Sequence, residues 1–196
     1  MRIGIDARFY GPIGKGLGRY TQKLIEYLEK IDPINEYFIF LKKENINEYE
    51  LRGKNFKKVL ADYRWYSWEE QIRFPRLLKK YDLDVVHFPH FNVPLFYFGK
   101  FIVTIHDLIL IHFPTVRSST LGPMLYWIKF LFYKVVIKAA VMRSNRIIAV
   151  SEFTKSDISK LYSSIPPEKI IVTHEACDDF CMVSPKKDKE ILKKYS

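Results

Sequence analysis

A histidine and an aspartate stand side by side where an apolar run ends. The stretch VTIHDL (residues 103–108) reaches His106 and Asp107 after three residues suited to a buried strand. Imidazole can donate, accept or polarise at neutral pH, so this pair is a candidate for acid–base chemistry. A structural role fits equally well, with His106 ending the strand and Asp107 turning the chain.

A glycine-rich segment follows the first apolar run. Half of the chain's 8 glycines fall within eight consecutive positions, among them Gly14, Gly16 and Gly18, and Arg19 comes next. Glycine lets backbone N–H groups approach a ligand closely, and a following helix N-terminus favours an anion. These four residues are therefore candidate ligand contacts, and a plain flexible connection is the alternative.

Neither familiar phosphate loop matches this segment. Thr21 stands where the dinucleotide fingerprint needs Gly or Ala, and no acidic residue follows the second predicted strand at residues 41–43. A Walker loop also fails, because no Gly-Lys pair is followed by Ser or Thr. A nicotinamide-dependent enzyme is disfavoured for the same reasons.

Two other strand ends carry polar residues. His87, His90 and Asn92 follow the fourth predicted strand, but two histidines three apart without a third ligand are a weak metal signal, and no metal site is predicted. We expect one of the histidines to pack and the other to line a pocket. Ser151 and Glu152 open a predicted helix, where capping alone explains the serine and anion binding is the alternative. No G-x-S-x-G elbow is present.

Short apolar runs alternate with segments of helical period, which predicts a doubly wound, mostly parallel α/β sheet with helices on both faces. Ligands of such sheets gather at the carboxyl ends of the strands, where the residues above stand. Strands are predicted at residues 2–6, 37–41, 57–61, 84–88, 101–105, 146–150 and 170–173. Helices are predicted at residues 18–30, 67–80, 123–143 and 151–162.

Composition excludes several classes of protein. The chain has 196 residues, 48% of them hydrophobic and 16% aromatic, so it is not disordered. Its 2 cysteines cannot form a disulfide scaffold and favour a reducing compartment. The N-terminus lacks a secretory signal, and Lys129, Lys134 and Lys138 interrupt the most apolar window, so no membrane-spanning helix is expected.

The net charge of +10 favours anionic partners without choosing among them. Nucleic acid is not expected, because that interpretation would rest on charge alone, without a recognition motif.

The strand-end sequences together resemble the N-terminal half of glycosyltransferase family 4, whose GT-B architecture has two facing Rossmann-like domains. Each stretch alone is loosely specific, but their order and spacing cover nearly the whole chain. The matching stretches are IGIDAR (residues 3–8) with GLGRY (16–20), DVVH (84–87) with Pro94, VTIHDL (103–108), IIAVSEFTKSD (147–157) and IIVTHEACDDF (170–180).

The resemblance implies a retaining hexosyltransferase-type enzyme that moves a sugar from a nucleotide-sugar donor to a glycan or lipid-linked acceptor, as in polysaccharide biosynthesis, with no cofactor and often no metal. His106 would lie beside the transferring sugar, with Asp107 adjacent. The glycine segment would approach the donor phosphates and the acceptor, and Ser151 and Glu152 match the family motif at the cleft. Asn92, His87 and Arg19 are the remaining candidate donor or acceptor contacts.

The resemblance also predicts the domain organisation. Residues 1–183 would form the acceptor-side domain, and residues 184–196 would be an inter-domain segment or the start of a donor-binding domain that the sequence does not contain. A lone domain lacks one wall of the cleft, so the isolated chain is expected to have little or no activity. One departure is the stretch EACD (residues 175–178), where the family usually shows a Gly-Val-Asp type of crossing.

Two alternatives remain at this point: a non-catalytic module that binds a sugar or phosphate, and one subunit of a split transferase. A separate C-terminal domain or subunit is an expected partner. A cytoplasmic location is expected, with peripheral contact at an anionic inner membrane face through the aromatic, lysine-dotted helix around residues 124–130, although burial of that helix against the sheet explains its composition equally well.

Overall fold

A single parallel sheet forms the centre of the molecule. The computed structural model describes residues 1–114 and 123–175. Within these residues the sheet has seven strands in the order β3-β2-β1-β4-β5-β6-β7, and every neighbouring pair is parallel. The strands are β1 (Arg2–Asp6), β2 (Glu36–Leu41), β3 (Phe56–Leu60), β4 (Val85–Phe88), β5 (Phe101–Ile105), β6 (Arg146–Ala149) and β7 (Ile170–Val172).

Helices connect the strands and cover the sheet. They are α1 (Lys15–Ile31), α2 (Trp68–Lys80), α3 (Ile109–His112), α4 (Pro123–Arg143) and α5 (Glu152–Leu161). The doubly wound Rossmann-like fold expected from the sequence is thus confirmed, and every predicted strand and helix is present within one to three residues of its expected ends. The one-turn helix α3 was not expected.

Alternation of side chains along β2 shows how the two faces are covered. Tyr37, Ile39 and Leu41 pack with Ile25 of α1 in one cluster, whereas Phe38 and Phe40 belong to a second cluster. The second cluster also includes Phe74 and Leu78 of α2, Ile137 and Val141 of α4, and Ile158 of α5. A strand buried on both faces explains the nearly continuous apolar sequence of β2.

The strand order reverses between β1 and β4, which are hydrogen-bonded neighbours with Ile5 opposite His87. In open α/β sheets a crevice forms at such a switch point, just beyond the carboxyl ends of the strands. The glycine-rich segment follows β1 and the His87–Asn92 stretch begins at the end of β4, so both predicted ligand loops flank this crevice.

Several expectations fall outside the described residues. They are the two cysteines, the domain boundary at residues 183 and 184, and all of the EACD departure except Glu175.

Candidate functional site

His106 lies one residue beyond β5 and its imidazole is bonded at both nitrogens. Its Nε2 is 3.0 Å from the Pro89 carbonyl oxygen, and its Nδ1 is 2.9 Å from a carboxylate oxygen of Glu175. Both partners only accept hydrogen bonds, so both contacts are satisfied together only when the ring donates from each nitrogen. Each ring nitrogen of His106 therefore faces an oxygen atom at the carboxyl edge of the sheet.

The ring of Tyr20 packs edge-on against the imidazole of His106, with centroids 4.9 Å apart. The Tyr20 hydroxyl is 3.3 Å from Thr104 Oγ1, and burial raises the pKa of Tyr20. Tyr20 lies in α1 one turn after Gly16, on the same face of the helix. The contact therefore brings the glycine-rich segment to the His106 side of the crevice.

Ser151 and Thr154 attach the start of α5 to the same histidine. Ser151 Oγ caps the helix by accepting from the Thr154 amide at 3.1 Å. Thr154 Oγ1 in turn donates to the backbone carbonyl of His106 at 3.1 Å. Glu152 is exposed in the first turn of α5. The structure thus attaches the first turn of α5, which contains Glu152 and is capped by Ser151, to the backbone of His106.

The glycines that follow β1 have different surroundings. A Cβ at Gly14 would lie 1.9 Å from the Phe9 carbonyl oxygen, and one at Gly18 would lie 2.0 Å from that of Gly11. These two glycines allow α1 to pack against the preceding loop. A Cβ at Gly16 would meet nothing within 4 Å, and Gly16 is exposed. Of these three glycines, Gly16 is thus the one with open space at its Cβ position.

The N-terminus of α1 has no side-chain cap. The helix begins at Lys15, three residues earlier than expected, and its N-cap Gly14 supplies no side-chain hydrogen bond. First-turn N–H groups without a cap favour an anion. Arg19 is exposed in the next turn of the helix.

A single asparagine holds the backbone between β1 and α1. Asn45 is fully buried, and its Nδ2 lies 3.2, 3.2 and 3.1 Å from the carbonyl oxygens of Ala7, Arg8 and Tyr10. Gly11, just beyond, has φ of 79°, a conformation that favours glycine. The segment that leads to Gly16 is therefore fixed rather than flexible.

A buried ionic cluster underlies the crevice. Arg8 lies between Asp6 and Glu70, with guanidinium nitrogens 2.7 Å from oxygens of both, and stacks over the Phe74 ring at 4.1 Å. Burial alone would lower the pKa of Arg8, but the two carboxylates outweigh it and raise the pKa. Burial raises the pKa of Glu70, and the charge of Arg8 opposes that shift. The cluster links β1 to α2.

Asn92 belongs to this cluster and not to the open surface. It is 2% exposed and its Nδ2 donates to Glu70 Oε1 at 2.8 Å. This location favours a role in positioning the loop after β4 over direct contact with a ligand.

His87 in β4 and His90 just after it are neutral and packed. Burial, and to a lesser extent the charge of His106, lowers the pKa of His87 to about 4 and that of His90 to about 3. His87 Nε2 lies 2.9 Å from Thr104 Oγ1, and His90 Nδ1 accepts from the backbone N–H of Asn92 at 3.3 Å. Within the described residues no group of three or more His, Cys, Asp or Glu side chains is arranged to hold a metal ion.

Asp107 is exposed, and its Oδ1 accepts from the Ile109 amide at 3.0 Å, which starts α3. Tyr20 of α1 and Thr154 of α5 thus contact His106 from two sides, whereas Asp107 next to it is exposed. Sequence reasoning missed Tyr20, Thr154 and Glu175 as neighbours of His106. All three lie within the stretches that carry the family resemblance, but nothing in their spacing indicates the contacts.

A profile of Glycosyltransferase Family 4 matches residues 14–179. The chain belongs to glycosyltransferase family 4. The resemblance noted in the sequence is thereby confirmed, and the match includes the α1 N-terminus, His106 and the start of α5. No curated protein sequence matches the chain.

A solved structure of the wall teichoic acid polymerase TagF has a similar fold. It matches with a TM-score of 0.50 and 15% sequence identity over 98% of this family 4 chain. The match spans 43% of the TagF chain, so this chain corresponds to less than half of that protein. At this identity the likeness concerns the fold, which is that of one half of a GT-B structure.

Proposed function

We propose that the chain is the acceptor-side, N-terminal domain of a retaining glycosyltransferase. It would transfer a hexose from a nucleotide-sugar donor to a glycan or lipid-linked acceptor, without a cofactor. The observation that carries the proposal is the position of His106, whose ring packs against Tyr20, one turn after Gly16 in α1, and whose backbone carbonyl accepts from Thr154 of α5. Family membership supplies the reaction class.

His106 has the chemistry to assist departure of a nucleotide leaving group. Negative charge develops on the leaving phosphate oxygens as the sugar–phosphate bond breaks, and a fixed cation or N–H donor aimed at that charge lowers the barrier. Each ring nitrogen already lies within hydrogen-bond distance of an oxygen atom. A phosphate or sugar oxygen that replaced Glu175 would receive the same Nδ1 hydrogen bond.

Gly16 is proposed to meet the donor phosphates. Its amide belongs to the uncapped first turn of α1, and no side chain covers it. An anion there is favoured by the free N–H groups and the helix dipole. Ser151 and Glu152 are proposed to contact the donor or acceptor from the facing helix start.

The crevice is one wall of a cleft, so activity is proposed to require a donor-binding domain opposite it. Sugar transfer needs both substrates oriented and water excluded, which an open crevice does not supply. The isolated chain is proposed to be inactive. That domain, on the same chain or as a separate subunit, is then the principal partner, and the cytoplasmic face of a membrane is the proposed location.

A non-catalytic binding module is the second candidate. It is supported by the capping role of Ser151, the buried position of Asn92 and the outward position of Asp107, which together leave few polar groups free for catalysis. Such a module would bind a sugar phosphate through Gly16 and His106 and would carry out no transfer in any assembly.

To test this, the domain is joined to a donor-binding domain of the family. Sugar transfer is then measured with a panel of nucleotide sugars as donors. The His106→Ala variant should lower turnover at least about tenfold, equivalent to about 1.4 kcal/mol of barrier, with the fold intact by circular dichroism. The matched control is His174→Gln, an exposed histidine near the end of the described chain. Unchanged turnover in His106→Ala would remove His106 from catalysis, and no transfer by any assembly would favour the binding module.

A further inference from the structure

An apolar groove of about 940 Å³ lies between the start of α2 and the N-terminal half of α4. Its walls are mostly aromatic and aliphatic. They include Trp65, Trp68, Phe91, Leu110, Ile128 and Tyr133. The volume is at the upper end of the range for small-molecule sites, and apolar walls with a few polar groups are typical of such sites.

The groove exists because only half of α4 is used for packing. Near its C-terminus, Ile137 and Val141 are buried in the core of the sheet. Toward its N-terminus the helix is mostly apolar, interrupted by Lys129 and Lys134, and its apolar Met124 and Leu131 are 74% and 65% exposed. Several exposed apolar side chains close together on one surface usually mark a site that another molecule covers. The N-terminal half of α4 therefore presents a surface suited to an apolar partner.

The groove opens at the edge of the sheet where His106 lies. Its walls come from the segments that follow β3, β4 and β5, all on the carboxyl side of the sheet. Phe91 is two residues from Pro89, whose carbonyl holds His106, and it packs edge-on against Tyr133 of α4 with centroids 4.9 Å apart. Leu110 is three residues beyond Asp107. The groove and the crevice are thus neighbouring parts of one surface.

The polar groups of the groove favour an anionic, oxygen-rich ligand. Arg64 and Lys129 line it, and no acidic residue is among the lining side chains within the described part of the chain. Three other lining residues each carry a buried N–H or O–H group without a hydrogen-bond partner in that part: Trp65 Nε1, Gln71 Nε2 and the Tyr126 hydroxyl. Cations and unmatched donors are stabilised by phosphate oxygens.

We propose that the groove binds the apolar tail of a phosphate-bearing lipid, with the head group directed toward His106. This inference rests on the proposed function and selects the lipid-linked class among its acceptors. From Tyr126 to Val136 the helix supplies a wall about 15 Å long, which suits an extended hydrocarbon chain. The phosphate would lie near Arg64 and Lys129, because burying it deeper would cost free energy without a paired cation.

Binding can be measured with dodecyl phosphate and the uncharged dodecyl maltoside, both kept monomeric. The chain has 3 tryptophans, and two of them, Trp65 and Trp68, line the groove. Trp65 also stacks on Phe9 with centroids 4.5 Å apart, so a ligand beside it should change its emission. Saturable changes in tryptophan fluorescence are expected for both probes, and dodecyl phosphate should bind more tightly.

Ile128→Glu and Leu131→Glu form a matched pair. Both side chains are exposed on the same stretch of α4, at 58% and 65%, but only Ile128 lines the groove. Ile128→Glu should weaken binding of dodecyl phosphate about tenfold or more. The introduced carboxylate has the same sign of charge as the phosphate, and it would lose water when the probe binds. Leu131→Glu should change it less than about twofold. Lys129→Gln should weaken binding of dodecyl phosphate and leave dodecyl maltoside unaffected.

Three outcomes would overturn the proposal. Equal weakening by Ile128→Glu and Leu131→Glu would indicate nonspecific adsorption along α4. A dimer in sedimentation that Ile128→Glu abolishes, without an effect on the probes, would make a second copy the occupant. Transfer to soluble glycans by the two-domain protein, with no probe binding, would reject the groove and keep the proposed function. Probe binding without transfer in any assembly would reject that function and support the groove.

Discussion

Thr154 donates a hydrogen bond from Oγ1 to the backbone carbonyl of His106 at 3.1 Å. The bond joins the first turn of α5 to the residue that follows β5, so a helix terminus and the candidate catalytic histidine are positioned by one contact. Ser151 fixes the same turn through its cap on the Thr154 amide. The geometry of the crevice therefore depends on side chains that need not touch a ligand.

Replacing Thr154 with Val tests this dependence. Valine keeps the shape of threonine and removes the donor, so the free energy of unfolding should fall by about 1 kcal/mol. The ring of His106 should also reorient, visible as a change in its imidazole NMR signals. Thr173→Val is the control, since Thr173 is exposed. If His106 signals stay unchanged in Thr154→Val, the hydrogen bond does not position the ring.

Replacing Glu70 tests how much the buried ionic cluster contributes to the free energy of unfolding. All its partners are donors, namely the Arg8 guanidinium, the Asn92 amide and the Tyr66 backbone N–H. A glutamine would direct its own N–H₂ at one of these donors, so Glu70→Gln should lower the free energy of unfolding by about 2 kcal/mol.

The control for this variant is the neighbouring residue. Glu69 is exposed and pairs with Arg73 one turn away at 2.7 Å. Because surface pairs contribute little, Glu69→Gln should change the free energy of unfolding by about 0.5 kcal/mol or less in urea denaturation. Equal effects of the two variants would contradict the stabilising role assigned to the buried cluster.

The neutral state of His87 predicts acid sensitivity. Its pKa is lowered from 6.5 to about 4 in the folded chain, so between these values the unfolded chain binds more protons. The free energy of unfolding is therefore greatest above pH 6.5 and falls as the pH drops toward about 4, by about 3 kcal/mol from this group alone.

Urea denaturation across this pH range measures the effect. His87→Gln should reduce the dependence of unfolding free energy on pH, whatever its effect on stability near neutrality. His174→Gln, at an exposed position, should leave the pH dependence as in the parent chain. A wild-type stability that does not change between about pH 4 and about pH 6.5 would show that His87 is not held neutral by burial.

The sequence predicts the sheet well because strands buried on both faces must be short and apolar, and because prolines and glycines mark the loops between them. It predicts less of α1, since Gly14 and Gly16 carry no side chain and the periodic apolar stripe begins only later in the helix. The buried position of Arg8 is invisible in the sequence, because its two carboxylate partners are separated by 64 positions and are brought together only by folding.

Alanine substitutions at Gly16 and Gly18 are expected to have different effects. One tests the packing of α1, and the other tests whether a ligand approaches the helix N-terminus. A methyl at Gly18 would meet the Gly11 carbonyl oxygen at 2.0 Å, so Gly18→Ala should lower the free energy of unfolding by about 2 kcal/mol. A methyl at Gly16 meets nothing within 4 Å, so Gly16→Ala should leave stability unchanged or raise it by up to about 1 kcal/mol.

If the Gly16 backbone approaches the donor phosphates, the alanine methyl in Gly16→Ala would lie between the helix N-terminus and the phosphate anion. Gly16→Ala should then raise KM for the nucleotide sugar about tenfold in the two-domain protein, while thermal unfolding shows no loss of stability. An unchanged KM would show that the open position at Gly16 serves only the entry into α1, and the donor phosphates would have to be bound elsewhere.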